Sequence, residues 1–308
     1  MKILVIGGSG FIGRYLIGRL VKADHRIDVP TRRLPSAREL FVYPTVTVME
    51  RDIHDDAELD SLVVGMDAVI NLVGILHSAP GNPYGADFAR AHVELPRRIA
   101  QACVRHGVRR LLHVSALGAS ASGTSEYLRS KGAGEAVLTE VSAGKDDFHV
   151  TVFRPSVVFG PGDGFMNMFA GLARFFPVLP LAGTQARMQP VFVGDVAQAI
   201  MTALERSDTQ GQVYELAGPK VYTLGELVGL AAEWSGHPRK VLALPLSVGR
   251  MQAWFFEHLP GEPLMSRDNL ASLQTDNVLS DPAAQPVLGI VPTPLEEVAP
   301  AYLRRPVR

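Results

Sequence analysis

The sequence is short of the features that would make its class obvious at a glance. It has one cysteine, Cys103, among 308 residues, so no internal disulfide can form, as expected of a chain kept in a reducing compartment. It has no excess charge of one sign: 30 Lys and Arg face 31 Asp and Glu, for a formal net charge of −1. With no Lys/Arg block either, no nucleic-acid partner is expected. Its nine histidines show no HxxxH or Cys/His spacing, so no metal site is predicted. No apolar run reaches the roughly 18 residues of a membrane span. The longest candidate, 63–76, is interrupted by Asp67 and Asn71. The opening stretch MKILVIGGSGFIG is no secretion signal, because glycines end its apolar run after Ile6 and no small-residue cleavage site follows.

What is present is a regular alternation. Short β-branched runs at Ile3 to Ile6, Arg26 to Thr31, Thr45 to Met49, Ala68 to Val73, Leu111 to Val114 and Val150 to Phe153 read as strands. Segments of helical period lie between them, at Ile12 to Val21, Phe88 to Arg105 and Ser125 to Val141. Such alternation predicts an α/β fold: a Rossmann doubly wound parallel sheet with helices on both faces. After Arg154-Pro155 glycine and proline become frequent and the beat is lost. The expected division is a dinucleotide-binding domain over 1–155, to which 189–204 returns, and a smaller irregular substrate or lid domain over 156–188 and 205–308.

Gly7, Gly10 and Gly13 form GxxGxxG between the first strand and the first helix. Glycine adopts the tight turn cheaply, and the helix N-terminus offers free N–H groups to a pyrophosphate. At the end of the second strand an acid would bind a ribose 2′-hydroxyl, whereas an arginine would accept a 2′-phosphate. Arg32 and Arg33 stand there, and Asp28 comes too early. This favours NADP(H) over NAD(H), unless both arginines are simply solvated. Asp52 and Ile53 follow the third strand, where they either meet the adenine edge or belong to a helix cap near Asp55.

Tyr127 and Lys131 are four residues apart on a predicted helix and share a face. An ammonium about 4 Å from a phenol contributes roughly 4 kcal/mol at an effective dielectric near 20, enough to lower the phenol by about three pH units. The expectation is an acid/base tyrosine suited to proton exchange with a carbonyl or alcohol oxygen. Arg187 reads either as an anchor for an anionic substrate or as a surface arginine. The loop from His77 to Asp87 is expected to edge the pocket. Met251, Trp254, Phe255 and His258 make an aromatic helical face, either packed inward as part of a lid or docking a partner, a lipid surface or a quinone tail.

Five segments together carry a family resemblance: GGSGFIG, YLRSK from Tyr127, FRPSVVFGPGD from Phe153, PVFVGDVAQAI from Pro190 and YELAGPKVYTLGEL from Tyr214. The chain resembles the extended or atypical short-chain dehydrogenases/reductases of the NAD-dependent epimerase/dehydratase type. NLVGIL from Asn71, VSALGA from Val114 and MSRDNLASLQTDNV from Met265 are similar to the nucleotide-binding accessory subunit of respiratory complex I and its bacterial relatives. The resemblance implies cofactor contacts at Gly7, Ser9, Gly10, Phe11, Ile12 and Gly13, at Arg32, at Asp52-Ile53 and at Leu72, Val73 and Gly74. It further implies that Lys131 binds the nicotinamide ribose and that Pro155 to Val158 lie beside the nicotinamide. Two departures stand out. Leu117 occupies the position of a Ser or Thr that polarises the substrate oxygen, leaving Ser115, or Ser120, Ser122 or Thr124, to substitute. His92 stands where active relatives carry an asparagine. Two functions follow as expectations. One is an oxidoreductase or epimerase/dehydratase acting on a small molecule, in which Tyr127, Lys131 and Ser115 are catalytic and His77, Leu117 and Arg187 meet substrate. The other is a nucleotide-loaded structural or assembly factor of a respiratory NADH dehydrogenase complex, cytoplasmic and peripheral at the inner face of the membrane.

Overall fold

The computed structural model describes residues 1–258 and 265–304, so the parts of the expected lid range at 259–264 and 305–308 lie outside the described residues. Seven strands form one sheet: β1 (Lys2–Ile6), β2 (Arg26–Thr31), β3 (Val46–Glu50), β4 (Ala68–Asn71), β5 (Arg110–Val114), β6 (His149–Pro155) and β7 (Val213–Leu216). Their order is β7-β6-β5-β4-β1-β2-β3, with every neighbouring pair parallel. The order reverses between β1 and β4, and in such sheets the crevice outside the strands' carboxyl ends at that reversal is where ligands bind.

Strand residues alternate between two cores because successive side chains point to opposite faces. Ile3 and Val5 of β1 join Leu16, Ile17 and Leu20 of α1 (Phe11–Lys22) and Val196 and Ile200 of α6 (Val193–Glu205). Leu4 and Ile6 join the opposite core with Leu62 of α2 (Asp56–Val63), Ile99 of α3 (86–105) and Leu138 of α4 (Glu126–Ser142). A third core, holding Phe169 of α5 (Phe165–Phe175), Leu227 of α7 (Leu224–Trp234) and Leu295 of α10 (Leu295–Leu303), builds the smaller lobe. Beside it α8 (Leu246–Glu257) and α9 (Arg267–Ser272) meet at Ala253 and Leu270.

The structure departs from the sequence reading in three places. Residues 213–216, expected in the lid, form the seventh strand of the main sheet. Val213 is an exposed edge residue and the strand spans four residues, too little for a periodic signal. β4 ends at Asn71 rather than Val73, because the Asn71 side chain accepts the Val73 N–H at 3.1 Å and turns the chain. The helix over 86–105 is not uniform: Ala89–Glu94 is a π-turn, a local irregularity that frequently marks functional sites.

Candidate functional site

The site begins at the turn from β1 into α1. Gly7 has φ +83°, and a Cβ there would lie 3.1 Å from the carbonyl carbon of Leu72. The turn therefore presses directly on the Leu72–Gly74 strip at the end of β4. A Cβ on Gly13 would lie 2.3 Å from the carbonyl oxygen of Gly8, so α1 can leave the turn at this angle only with glycine there. Gly10 is the N-cap of α1; no side chain caps the helix and no acid sits in its first turn. Among the described residues the leading N–H groups and the positive dipole end thus meet no side-chain cap and no first-turn acid, which fits a dinucleotide pyrophosphate. Ser9 and Ile12 are half-buried beside them. Phe11 packs edge-on against Tyr15 at 5.8 Å, and the Tyr15 hydroxyl donates to the Pro161 carbonyl, tying the glycine-rich 160–164 loop over α1.

Arg32 and Arg33 lie exposed at the end of β2 and form no ion pair among the described residues. The Arg33 carbonyl accepts from the Thr31 hydroxyl and the Ser36 N–H, opening the 3-10 helix Leu34–Val42. Asp52 is exposed; its carboxylate accepts the His54 N–H at 2.9 Å, and Asp55, not Asp52, caps α2 by accepting from the Glu58 N–H. Ile53 packs half-buried against the second core. Sequence reasoning missed Arg14, which pairs with Glu39 at 3.1 Å in the first turn of α1. A cation at a helix N-terminus opposes the dipole, and that misfit was the available signal.

Lys131 is 3% exposed. Its Nζ donates to the Val114 carbonyl at 3.3 Å and lies 3.2 Å from where a Gly74 Cβ would stand, so the ammonium sits between the ends of β4 and β5. Burial lowers it from 10.5 to about 8 against the partial support of Glu135, one helical turn further on. Glu135 is in turn held by the Arg154 guanidinium of β6, whose Nε donates to it at 2.9 Å. Tyr127 corrects an expectation: its phenol is raised from 10.0 to about 12 by burial, with no lowering from Lys131. The ammonium is engaged at Val114 and Gly74, while the tyrosine ring stands edge-on to Phe88 and His92. In this geometry desolvation outweighs the Coulomb attraction that spacing alone suggested.

His92 completes a closed hydrogen-bond chain. The Ile75 N–H donates to its Nε2 at 3.1 Å, so Nδ1 carries the proton and donates to Ser130 Oγ at 2.8 Å; Ser130 in turn donates to the Tyr127 carbonyl. The ring is neutral, pushed down to about 2 by burial and then by Lys131 and His113. A Cβ on Gly134 would lie 2.0 Å from the His92 carbonyl oxygen, so that glycine lets α3 and α4 close to this distance. His113 Nδ1 meets Asn71 Nδ2 at 3.1 Å, which assigns the proton to Nε2. That Nε2 and the Ser115 hydroxyl are both buried with no hydrogen-bond partner among the described residues. Ser120, Ser122 and Thr124 are engaged elsewhere, the first two with each other and Thr124 with Thr275. Burial also pushes His113 down to about 3. Both histidines are neutral in the fold and protonate near 6.5 when unfolded, so stability is lost as pH falls below 6.5. Each is expected to cost about 1.4 kcal/mol per pH unit there. Urea midpoints at successive acidic pH values check this: His113→Gln should reduce the slope, and an unchanged slope would contradict neutral burial.

The segment 265–278 straps the lobe onto the site. The Asp268 carboxylate accepts the N–H groups of Glu126 (2.6 Å) and Tyr127 (3.1 Å), supplementing the Ser125 cap of α4. Asn277 Oδ1 accepts from the Ser156 hydroxyl and the Val157 N–H, and its Nδ2 donates to the Leu117 carbonyl. Leu117 is 2% exposed, and its N–H donates to Pro155, so it acts as buried packing between the strap and β6. Pro155 is buried, and Val158 is half-buried in register with Val191. Arg187 is half-matched by Asp276 at 3.5 Å. His77, Phe88, Glu126, Arg129, Glu257 and Asp268 line a cleft of ≈ 300 Å³; Phe88 touches the Tyr127 ring edge-on. Asp268→Asn is expected to remove about 1 kcal/mol of capping, read as roughly fivefold faster hydrogen exchange at the Glu126 and Tyr127 amides. Unchanged exchange would show that Ser125 caps α4 alone.

Known proteins resemble the chain in sequence and fold. Over its length the chain is 32% identical to the mouse protein named NADH dehydrogenase [ubiquinone] 1 alpha subcomplex subunit 9, mitochondrial, covering 98% of this chain and 79% of that one. It is 30% identical to a ceramide reductase from Caulobacter vibrioides, covering 79% and 73%. Among solved structures, Pal from Bacillus thuringiensis matches with TM-score 0.78 at 17% identity, over 99% and 98% of the two chains. MoeE5 in complex with UDP-glucose and NAD matches with TM-score 0.75 at 21% identity, over 98% and 97%. The model of the NAD dependent epimerase/dehydratase family matches residues 3–217, a span that holds the glycine turn, Tyr127, Lys131 and, but for Lys2, the seven strands of the sheet, and the chain belongs to that family.

Proposed function

We propose that the chain binds NADP(H) in the crevice between β1 and β4 and acts as a short-chain dehydrogenase/reductase, an oxidoreductase or epimerase/dehydratase on a small molecule held in the cleft beside Tyr127. The observation that carries this reading is the buried Lys131 ammonium, aimed between Gly74 and Val114 where few proteins would strand a charge without a ligand to meet. Gly7, Ser9, Gly10, Phe11, Ile12 and Gly13 hold the pyrophosphate, Arg32 and Arg33 the 2′-phosphate, Asp52 and Ile53 the adenine edge. Leu72, Val73 and Gly74 line the crevice, and Pro155 and Val158 flank the nicotinamide. The bound cofactor supplies or accepts hydride. Lys131 orients the ribose, and Tyr127 exchanges a proton with the substrate oxygen. Ser115 donates to that oxygen and His77 borders the substrate; Leu117, buried as packing, and Arg187, held by Asp276, lie outside the lining of the cleft.

Mass spectrometry of the nucleotide that co-purifies tests the binding claim; NAD instead of NADP would overturn the arginine assignment. Arg32→Glu is expected to weaken NADPH about tenfold or more, the worth of a charge-assisted contact, while NADH changes little in calorimetric titration. An equal loss for both would place Arg32 outside the phosphate site. Turnover of carbonyl panels that vanishes in Tyr127→Phe supports catalysis.

A second reading rests on Leu117 where a hydroxyl is wanted, on the high-lying Tyr127 phenol, and on the mouse relative's name. In it the chain is a nucleotide-loaded structural or assembly factor of a respiratory NADH dehydrogenase, peripheral at the inner face of the membrane. Among the described residues no helix is long and apolar enough to cross a membrane. Co-purification with a membrane complex, together with no turnover above Tyr127→Phe, would favour it.

A further inference from the structure

α8 is built inside out. It buries its small residues, Gly249 and Ala253, and shows its large apolar ones to solvent. Met251 is 66% exposed, Trp254 51% and Phe255 56%, with Leu246 and Val248 beside them. The inward stripe is demanding: a Cβ on Gly249 would lie 2.3 Å from Ala182 Cβ, so the helix lies flat on the strand Val178–Ala182 only because a glycine is there. A glycine in mid-helix costs about 1 kcal/mol in propensity. Ordinary amphipathic helices turn their apolar stripe to the core; this one does the reverse. The same lobe carries further exposed apolar residues. Phe175 is 82% exposed at the end of α5, and Leu242 is exposed on the strand Lys240–Leu244, which pairs with Val178–Ala182.

The charges carried by these segments have one effective sign. Glu257 is taken up by Arg267, whose Nε donates to it at 2.8 Å and whose backbone N–H donates at 2.6 Å. Arg239 donates to the Ala173 carbonyl. Arg250 and Lys240 are exposed and form no ion pair among the described residues. A half-exposed tryptophan, a phenylalanine and a methionine set among unpaired cations are the composition of an interfacial helix that rests in a lipid headgroup layer.

We infer that the outward face of α8 docks on an anionic phospholipid bilayer. The helix, about 18 Å long, lies in the membrane plane with Met251, Trp254 and Phe255 among the acyl chains and Arg250 and Lys240 on lipid phosphates. Glu257, at the end of the same helix, also lines the cleft that Glu126 and Asp268 border. A second copy is a poorer occupant, since a self-facing patch would bring its unpaired cations together. The inference gives a surface to the membrane-peripheral placement of the second reading, and it needs neither turnover nor bound nucleotide.

The test uses the full chain carrying Trp234→Phe, which leaves Trp254 as its single tryptophan. Vesicles of phosphatidylcholine alone are compared with vesicles also containing phosphatidylglycerol. The expected result is a blue shift of Trp254 emission and partitioning about tenfold stronger with the anionic lipid, weakened by salt. Arg250→Glu with Lys240→Glu should lower partitioning about tenfold, and Met251→Ser with Phe255→Ser by a similar factor. Circular dichroism confirms that each variant is folded. No binding to anionic vesicles, or binding indifferent to these variants, would overturn the inference. So would concentration-dependent dimerisation without lipid that the Met251 and Phe255 variants abolish, because the second copy would then be the occupant. None of these outcomes bears on cofactor binding, which mass spectrometry reads separately.

Discussion

Gly13→Ala is expected to yield a protein that keeps no nucleotide through purification and unfolds at lower urea. The added Cβ would meet the Gly8 carbonyl oxygen at 2.3 Å and the Gly8 carbonyl carbon and Cα at 2.6 Å. All three are backbone atoms in the turn that would hold the pyrophosphate, so no side chain can swing aside. Relief requires α1 to move away from β1, which carries its leading N–H groups out of line with the phosphates. Overpacking of this severity sits at the top of its range, about 3 kcal/mol. The gain in helix propensity returns about 1 kcal/mol, for a net loss near 2 kcal/mol. Gly18→Ala is the control within the same helix. A Cβ there meets only the Tyr43 hydroxyl, at 3.8 Å, so that variant should gain up to about 1 kcal/mol and keep its nucleotide. Nucleotide retained in Gly13→Ala would mean that the turn does not hold the pyrophosphate.

The opposite trade is expected at Lys131. Without nucleotide, Lys131→Met should be more stable than the parent at pH 7 and less able to bind or turn over cofactor. Burial depresses the amine from 10.5 to about 8, and a depression of that size corresponds to about 3 kcal/mol against the charged form. The sign follows from where the protons are. Below pH 8 the amine is protonated both folded and unfolded, and the full penalty is present. Between 8 and 10.5 the unfolded chain holds more protons than the folded one, so the parent gains stability as pH rises. Above 10.5 both forms are neutral and the penalty is gone. The stability difference between Met and Lys should therefore be flat at neutral pH and shrink through the alkaline range. Methionine is of similar length and leaves the Glu135–Arg154 pair intact. Denaturant unfolding of the nucleotide-free proteins at pH 7 and above 10 checks the prediction, and a Met variant less stable than the parent would remove it. A chain that keeps so costly an amine is expected to use it.

The two residues differ in how legible they were. Gly7, Gly10 and Gly13 could be read because everything that makes them a phosphate turn is local: a buried strand before them and an amphipathic helix after them. Tyr127 and Lys131 could be paired because helical spacing is also local. Their electrostatics could not be read. The sequence spacing suggests a phenol lowered by its neighbour, whereas the fold raises the phenol, packed on Phe88 and His92, and depresses the amine, which lies between the ends of β4 and β5. His92 appeared as a departure from the family pattern; only the packing of α3 on α4 shows that its ring is closed into a chain from Ile75 to Tyr127. Asp268 and Asn277 lay in a recognisable segment, yet their roles depend on partners 142 and 121 residues away.

Taken by itself, the sequence determined the parallel α/β sheet, the glycine turn at its first crossover and the helix that carries Tyr127 and Lys131. Periodicity and backbone freedom are properties of neighbouring residues, so a linear reading reaches them. The tertiary structure alone decided that Val213–Leu216 completes the sheet, that Lys131 lies dry between two strand ends, that a strap from the small lobe clamps the site, and that α8 turns its aromatic face outward. Each of these depends on which distant segments exclude water from a side chain, and desolvation is set by the assembled fold rather than by spacing along the chain.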